Sequence, residues 1–285
     1  MDARRRLEVH AREWGVVIEE TRETPSSLIA YGRRGREPVV IKVVRGDGDE
    51  SRAGEILEAF AGAGVVRVYE YTVGAMLLER LQPGTSLVDL VRAGRDEEAT
   101  DVLAAVMRMM SPSHLPTAAP TVHDWSRGFE RYVASGDSRV PGVLVRHAHR
   151  TYRDLCGSQA HVRLLHGDLH HENVLSDGRR GWLAIDPKGV VGEAAYELGA
   201  ALRNPHGCLA CVKDASVVRS RIARFAAALQ LDPQRVLAWA FSQAVLSAIW
   251  SIEDDGVVAA DDPSMLLSQT TYPMLVETDW RIATA

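Results

Sequence analysis

Between Leu164 and Gly192 the chain sets chemistry-bearing residues around two short apolar stretches, in an order that few folds accommodate. His166-Gly167-Asp168 is followed five residues after the aspartate by Asn173, and thirteen residues later by Asp186 in Ile185-Asp186-Pro187-Lys188. Residues 174–176 and 182–185 read as strands flanking an Asp177-Gly178 turn, so the segment predicts a hairpin. Asn173 enters its first strand and Asp186 leaves its second, so closing the hairpin brings an amide oxygen and a carboxylate together. Hard cations such as Mg²⁺ take one or two protein oxygens of this kind and fill their remaining positions with water and phosphate. Asp168, on the loop before the hairpin, is placed to accept a proton from an attacking hydroxyl. Phosphoryl transfer asks a protein for these parts and for little covalent chemistry.

The rest of the chain changes character near residue 80. A helix is expected over 2–14, with Leu7, Ala11 and Trp14 on one face. Strands are expected at Val16–Ile18, Ser27–Tyr31, Val39–Val44, Val65–Tyr71 and Ala75–Leu78. One helix from about Glu50 to Ala61 interrupts them, and Gly62 and Gly64 would end it. Arg80 to Gly84 reads as a turn, with Thr85 or Ser86 as the cap of a helix over 86–93. Further helices are expected at 97–110, 125–135, 142–156, 194–203, 216–230, 233–252 and 264–278. The pattern is that of an α+β chain with a small β-rich lobe over 1–80, a hinge near 79–85 and a larger helical lobe over 81–285. A cleft between two lobes is a common place for a ligand.

Bulk properties remove several classes. A formal charge of −5 argues against nucleic acid as a partner, because phosphate binding without sequence preference needs a clustered positive surplus. The uncharged run from Val236 to Ile252 contains Ser242, Gln243, Ser247 and Ser251, and reads as a buried core helix rather than a membrane span. No apolar stretch follows the basic start, so a cytoplasmic location is expected; a monomer is expected separately, with nothing in the sequence that reads out the oligomeric state. Three cysteines build no disulfide framework, and Cys208-Leu209-Ala210-Cys211 lacks the second pair that a zinc site needs, so these cysteines read as small apolar residues near a helix start. His166, His170 and His171 beside Glu172 lack the H-E-x-x-H order of a metal hydrolase, and His166 is expected to pack and hydrogen-bond the loop. Of 33 basic residues only three are lysines, Lys42, Lys188 and Lys213. Each is therefore a candidate for a task that a guanidinium cannot perform.

The run from His166 to Asn173 resembles the catalytic loop of the protein-kinase-like superfamily in its aminoglycoside phosphotransferase form, with Gly167 where protein kinases carry Arg. Trp182 to Glu193, Leu202-Arg203-Asn204-Pro205, Gly64 to Val68 and Leu77 to Leu87 resemble a narrower family, the aminoglycoside and hydroxyurea antibiotic-resistance kinases, typified by streptomycin 6-kinase. The resemblance covers nearly the whole chain. It implies a bilobal protein-kinase-like fold and ATP- and Mg²⁺-dependent transfer of the γ-phosphate to a hydroxyl of a small molecule, with streptomycin at its 6-hydroxyl as the expected acceptor. Hydroxyurea or another small metabolite is the alternative acceptor, and an inactive nucleotide-binding regulator is the alternative from another class.

The same resemblance implies roles. Asp168 would be the base, Asn173 and Asp186 the Mg²⁺ ligands, and Lys42 the contact to the α- and β-phosphates. Glu55 would pair with Lys42, with Glu50 as the alternative. Backbone groups from Glu79 to Leu81 would bind adenine. No glycine-rich loop is present, and Ser26 and Ser27 in the turn before the second strand would approach the phosphates instead. Lys188 would sit near the γ-phosphate or the acceptor. A polycationic acceptor would need carboxylates, for which Glu193, Glu197, Glu253 and Asp254 are the candidates, with Asp255, Asp261, Asp262, Glu277 and Asp279 nearby in sequence. Pro187-Lys188-Gly189 replaces the Phe-Gly of protein kinases and no Ala-Pro-Glu segment follows, so a protein substrate is not expected.

Overall fold

β-branched and apolar residues dominate the stretch from Val16 to Leu78, and there the chain builds a sheet. The computed structural model describes residues 2–46, 48–117 and 119–277, with all their side chains except those of Asp49 and Asp255; Asp47, Asp279 and residue 278 of the last expected helix lie outside the described residues. Helix α1 (Ala3–Glu13) starts where the Asp2 side chain accepts the Arg4 N–H at 2.7 Å. Strands β1 (Val16–Glu23), β2 (Ser27–Arg34) and β3 (Glu37–Val44) follow, then a 3₁₀ turn (Asp49–Arg52), α2 (Ala53–Phe60), β4 (Val68–Thr72) and β5 (Ala75–Glu79). The strands form one antiparallel sheet in the order β1-β2-β3-β5-β4. Leu7 and Ala11 of α1 pack on one face against Leu28, Val39, Ile41 and Leu77. Ile56, Leu57 and Phe60 of α2 join Met76 and Leu78 in a core that continues into the second lobe.

Two departures from the expected strands tie the lobes together. The fourth strand begins at Val68, because residues 64–66 pair elsewhere: the Val66 N–H donates to the Ala184 carbonyl and the Ala184 N–H to the Gly64 carbonyl, each at 2.9 Å. Where a turn was expected, β6 (Pro83–Ser86) forms and pairs with the hairpin farther along the chain. The following helix, α3 (Val88–Arg92), consequently starts late, with Ser86 Oγ accepting the Val88 N–H.

The second lobe continues with α4 (Asp96–Met109), α5 (Val122–Trp125), α6 (Arg127–Ser135), α7 (Gly142–Gly157), β7 (Arg163–Leu165), β8 (Val174–Asp177), β9 (Gly181–Ala184) and β10 (Val190–Gly192). It ends with α8 (Ala194–Leu202), α9 (Leu209–Lys213), α10 (Ala215–Leu229), α11 (Pro233–Asp255) and α12 (Pro263–Glu277). The hairpin read from sequence is β8–β9, with Val174 opposite Ala184. The helix expected over 125–135 is two helices, because a Thr121–Asp124 capping box starts α5 early. Strands β7 and β10, three residues each, are too short to carry a sequence signal. Helix α9 was not expected, and Cys208 and Cys211 at its start are joined by a disulfide rather than being two unlinked apolar residues: the turn brings their Cα atoms to 5.4 Å. Helix α11 is long and apolar enough to cross a bilayer, yet most of that stretch is buried within the protein, as expected of a core helix.

Candidate active site

Buried Leu164 and Leu165 of β7 deliver the chain to His166, which has no exposed surface. Burial lowers the imidazole to about 4, so the ring is neutral. Its Nε2 lies 2.8 Å from the Ile185 carbonyl and its Nδ1 lies 3.3 Å from the Asp168 N–H, which assigns the proton to Nε2. The His166 carbonyl accepts the N–H groups of Lys188 and Gly189, both at 2.9 Å. The loop at 166–168 and the turn at 186–189 are thus stitched into one unit. From α8, the Glu197 carboxyl accepts the N–H groups of His166 (2.7 Å), Gly167 (2.9 Å) and Leu169 (3.3 Å). Glu197 is therefore the anchor of this loop rather than an acceptor contact. Burial pushes its carboxyl up to about 7 against the pull of those three N–H bonds.

Within this frame the sequence-predicted residues converge. The Ile185 N–H donates to the Asn173 carbonyl at 2.8 Å, which places Asp186 one residue beyond a rung that carries Asn173. Asn173 Nδ2 donates to the Asp168 carbonyl (3.0 Å) and lies 3.2 Å from His170 Nε2. The nitrogen end of that amide is committed, so Oδ1 is the atom it could offer to a metal. Asp186 adopts a left-handed backbone with φ of 57°, a conformation that costs a residue with a side chain roughly 1–3 kcal/mol. Gly189 follows at φ of 77°, where a Cβ would come within 2.4 Å of Ile56, so this turn docks directly on α2.

Lys42 is 5% exposed, with Nζ 2.9 Å from Asp186 Oδ1 and 3.5 Å from Glu50 Oε2. Burial alone would lower the ammonium, but the two carboxylates outweigh it and raise the group above its ordinary value. The lysine's helix-side partner is thus Glu50 of the 3₁₀ turn. Glu55 was the first expectation and is corrected: it pairs with Arg52 at 3.1 Å, because the inward stripe of α2 is taken by Ala53, Ile56, Leu57 and Phe60.

Asp168 is ringed by basic side chains, with Lys188 at 3.2 Å, Arg203 at 3.3 Å and His170 at 3.8 Å. Burial favours its neutral acid, but the His170 contact and the charges of Lys188, His170 and Arg203 hold the carboxyl well below the usual range. His170 is itself held above its ordinary value against burial by Asp168 and by Glu172, the latter at 2.9 Å. Asn173 Oδ1 and the Asp186 carboxylate are hard oxygen donors, and no group of three His, Cys, Asp or Glu side chains among the described residues could cage a metal alone. The donor set fits a Mg²⁺ that arrives with phosphate and water rather than a protein-encapsulated ion.

Two hollows meet this cluster. One, about 330 Å³, is a slot lined by the apolar side chains of Ile29, Val40, Val66, Leu78, Leu175 and Ile185 together with the polar ones of Glu20, Arg22, Tyr31, Arg80, Lys42 and Asp186. Glu79 and Leu81 border it, and the Glu79 side chain is occupied by Arg180 and by the Arg67 N–H. The other, about 960 Å³, is lined by Ser26, Lys188, Arg203, Trp125, Trp250 and Asp254 among others. Ser26 reaches this space. Ser27 does not: it is 2% exposed and engaged by Thr24, because its side chain points inward from β2.

Of the expected acceptor carboxylates among the described side chains, only Asp254 lines the larger hollow. Glu193 is buried beneath α11, where Arg235 and the Trp239 indole N–H bind it. Glu253 turns outward to a two-pronged pair with Arg131 at 2.9 and 3.0 Å. Asp262 caps α12 through the Ser264 and Met265 N–H groups. Sequence reasoning missed Arg203, Gln243, Trp125 and Trp250 as lining residues. Arg203 lay inside a quoted motif, but arginine is too common in this chain to stand out.

Comparison with known proteins fits this geometry. The family described as aminoglycoside/hydroxyurea antibiotic resistance kinase matches residues 14–256. A streptomycin 3''-kinase from Klebsiella pneumoniae is 33% identical over 239 residues, covering 81% of this chain and 86% of that protein. A streptomycin 6-kinase from Streptomyces griseus is 31% identical over 243 residues, covering 78% and 77%. Among solved structures, an aminoglycoside phosphotransferase, APH(4)-Ia, in ternary complex with ADP and hygromycin B superposes with a TM-score of 0.60 at 17% identity, covering 96% of this chain and 99% of that one. The last likeness concerns the fold, which is that of the protein-kinase-like enzymes.

Proposed function

Because the chain belongs to the aminoglycoside/hydroxyurea antibiotic resistance kinase family, we propose that it transfers the γ-phosphate of ATP to a hydroxyl of an aminoglycoside, with streptomycin as acceptor and its 6-hydroxyl as the position. One observation carries the reading: Lys42 and Asp186 line one hollow, and the wider hollow is lined by Lys188 and Arg203, the two cations that contact Asp168. A planar base suits the slot, with backbone groups from Glu79 to Leu81 at its edge. Lys42 would then contact the phosphates, as the relatives' kinase activities and the ADP-bound fold neighbour also support.

When bound, Mg²⁺ held by Asn173 Oδ1 and Asp186 would neutralise charge on the phosphates. Asp168 would accept the proton of the acceptor hydroxyl as its oxygen bonds to the γ-phosphorus and the bond to the β-phosphate oxygen breaks. Lys188, beside Asp168, would face the transferred group. Trp125 and Trp250 bring aromatic surface to the hollow and Asp254 a countercharge, which supports a cationic acceptor.

A second reading, transfer to hydroxyurea or another small and weakly charged acceptor, is favoured by a different feature of the same wall. Lys188 and Arg203 face the hollow that Asp254 shares. Incubation of the purified protein with ATP, Mg²⁺ and a panel of streptomycin, other aminoglycosides and hydroxyurea, with product mass and NMR, separates these readings. A streptomycin 6-phosphate supports the first, a 3''-phosphate corrects the position, and phosphorylated hydroxyurea alone supports the second. Asp168→Ala should reduce kcat by about 100-fold or more with little change in KM for ATP. Retained turnover in that variant excludes the mechanism.

A further inference from the structure

Arg203 sits at the C-terminal end of α8, and its guanidinium spans two partners: Nη2 lies 3.3 Å from Asp168 Oδ1, and Nη1 donates to Gln243 Oε1 at 2.7 Å. Gln243 is 2% exposed on α11, and its Nε2 donates to the Tyr196 carbonyl at 3.3 Å. This close approach of α11 to α8 depends on Gly199, where a Cβ would come within 1.9 Å of Gln243 Oε1. Gly199 thus makes room for Gln243, which binds Arg203, which in turn contacts Asp168. The series ends on one oxygen of Asp168, while the other oxygen meets Lys188 at 3.2 Å and His170 at 3.8 Å. Lys188 is the more exposed of the two cations, its side chain 35% exposed against 12% for Arg203. Helix α11 also supplies Ser247, Trp250, Ser251 and Asp254 to the wall of the larger hollow.

We propose that Arg203, held by Gln243, is the positioning residue that fixes the rotamer of Asp168 and thereby aims it at the acceptor hydroxyl. The proposal rests on the reading of Asp168 as the base and assigns Arg203 no direct part in bond making. A planar fork suits this place because its two terminal nitrogens each meet a different acceptor in one fixed geometry, Nη1 at Gln243 and Nη2 at Asp168, whereas an ammonium is a single compact point of charge on a flexible stem. The same helix that walls the acceptor hollow therefore sets the direction of the base. Misdirected, the base would still see ATP held in place but would meet the acceptor oxygen at a poorer angle.

The test uses the full-length protein and counts ADP formed and acceptor phosphorylated in parallel. Arg203→Met should lower kcat on the order of 10- to 100-fold, leave KM for ATP within about threefold, and raise the ADP formed per acceptor phosphorylated. Gln243→Leu should reproduce most of that loss. The double variant should be no worse than Arg203→Met alone, since the two residues act in series. Arg203→Lys should stay impaired although it keeps the charge. A wild-type kcat in Arg203→Met, a loss confined to KM for the acceptor, full activity in Arg203→Lys, or additive losses in the double variant would each overturn the inference. Should Arg203→Met fail to fold, Arg203→Lys and Gln243→Leu decide by the same criteria. Asp168→Asn separates the layers: activity in that variant removes the underlying reading, whereas its inactivity beside a fully active Arg203→Met removes only the present inference.

Discussion

Lys42 illustrates how a single side chain is selected by its surroundings. Its ammonium is enclosed between Asp186 and Glu50, with 5% of the residue exposed, so shape matters there as much as charge. An arginine would keep the charge but bring a wider, planar head into a space built for a compact one. Lys42→Arg should therefore lower kcat/KM roughly 10- to 100-fold while the melting temperature stays close to that of the parent, checked by steady-state kinetics and thermal unfolding. Unchanged kinetics would mean that the rarity of lysine in this chain carries no message. The other two lysines sort by place: Lys188 reaches Asp168, whereas Lys213 only ends α9. Scarcity made lysine readable in advance. Abundance hid Arg203, one of thirty arginines, until its distances to Asp168 and Gln243 were known.

Helix α8 shows why a residue's element does not announce its task. All of Ala195 to Leu202 is buried, so no amphipathic stripe separates Glu197 from a carboxylate that would face a ligand. Only the turn of β7 into the loop above it brings three N–H groups onto that side chain. With its carboxyl raised from an ordinary 4.5 to about 7, Glu197 takes up a proton on folding between those values. Its contribution is complete below pH 4.5 and is lost as the pH rises through 7. The stability of the parent minus that of Glu197→Gln should thus fall by roughly 2–3 kcal/mol between pH 5 and pH 8. Urea unfolding of both proteins across that range checks it, and a constant difference would refute the raised value. Comparing the pair cancels the neutral buried His166 and His171, whose lowered values make stability fall toward acid pH.

Across the whole molecule, the lobes are joined by more than the covalent hinge. Arg180 of the β8–β9 turn reaches the Glu79 side chain and the carbonyls of Gly62 and Val65, and β6 pairs with β8. Arg180→Ala should cost about 2 kcal/mol or more of unfolding free energy, because it leaves Glu79 and two carbonyls without this partner. It should also raise KM for ATP, since Glu79 borders the slot; urea titration and kinetics measure the two effects, and a neutral variant would show that β6 and the pairing of Gly64 and Val66 with Ala184 hold the lobes without Arg180. By itself the sequence determined the α+β order, the family and the Asp168, Asn173 and Asp186 cluster. That cluster lies on a loop and a hairpin, whose pairing is local and so is encoded in spacing. Only the tertiary structure decided that Glu50 rather than Glu55 meets Lys42, that Asp254 rather than Glu253 faces the hollow, and that Glu197 anchors a loop. Those choices depend on which side of an element is already filled by core, and that is settled by residues distant in the chain.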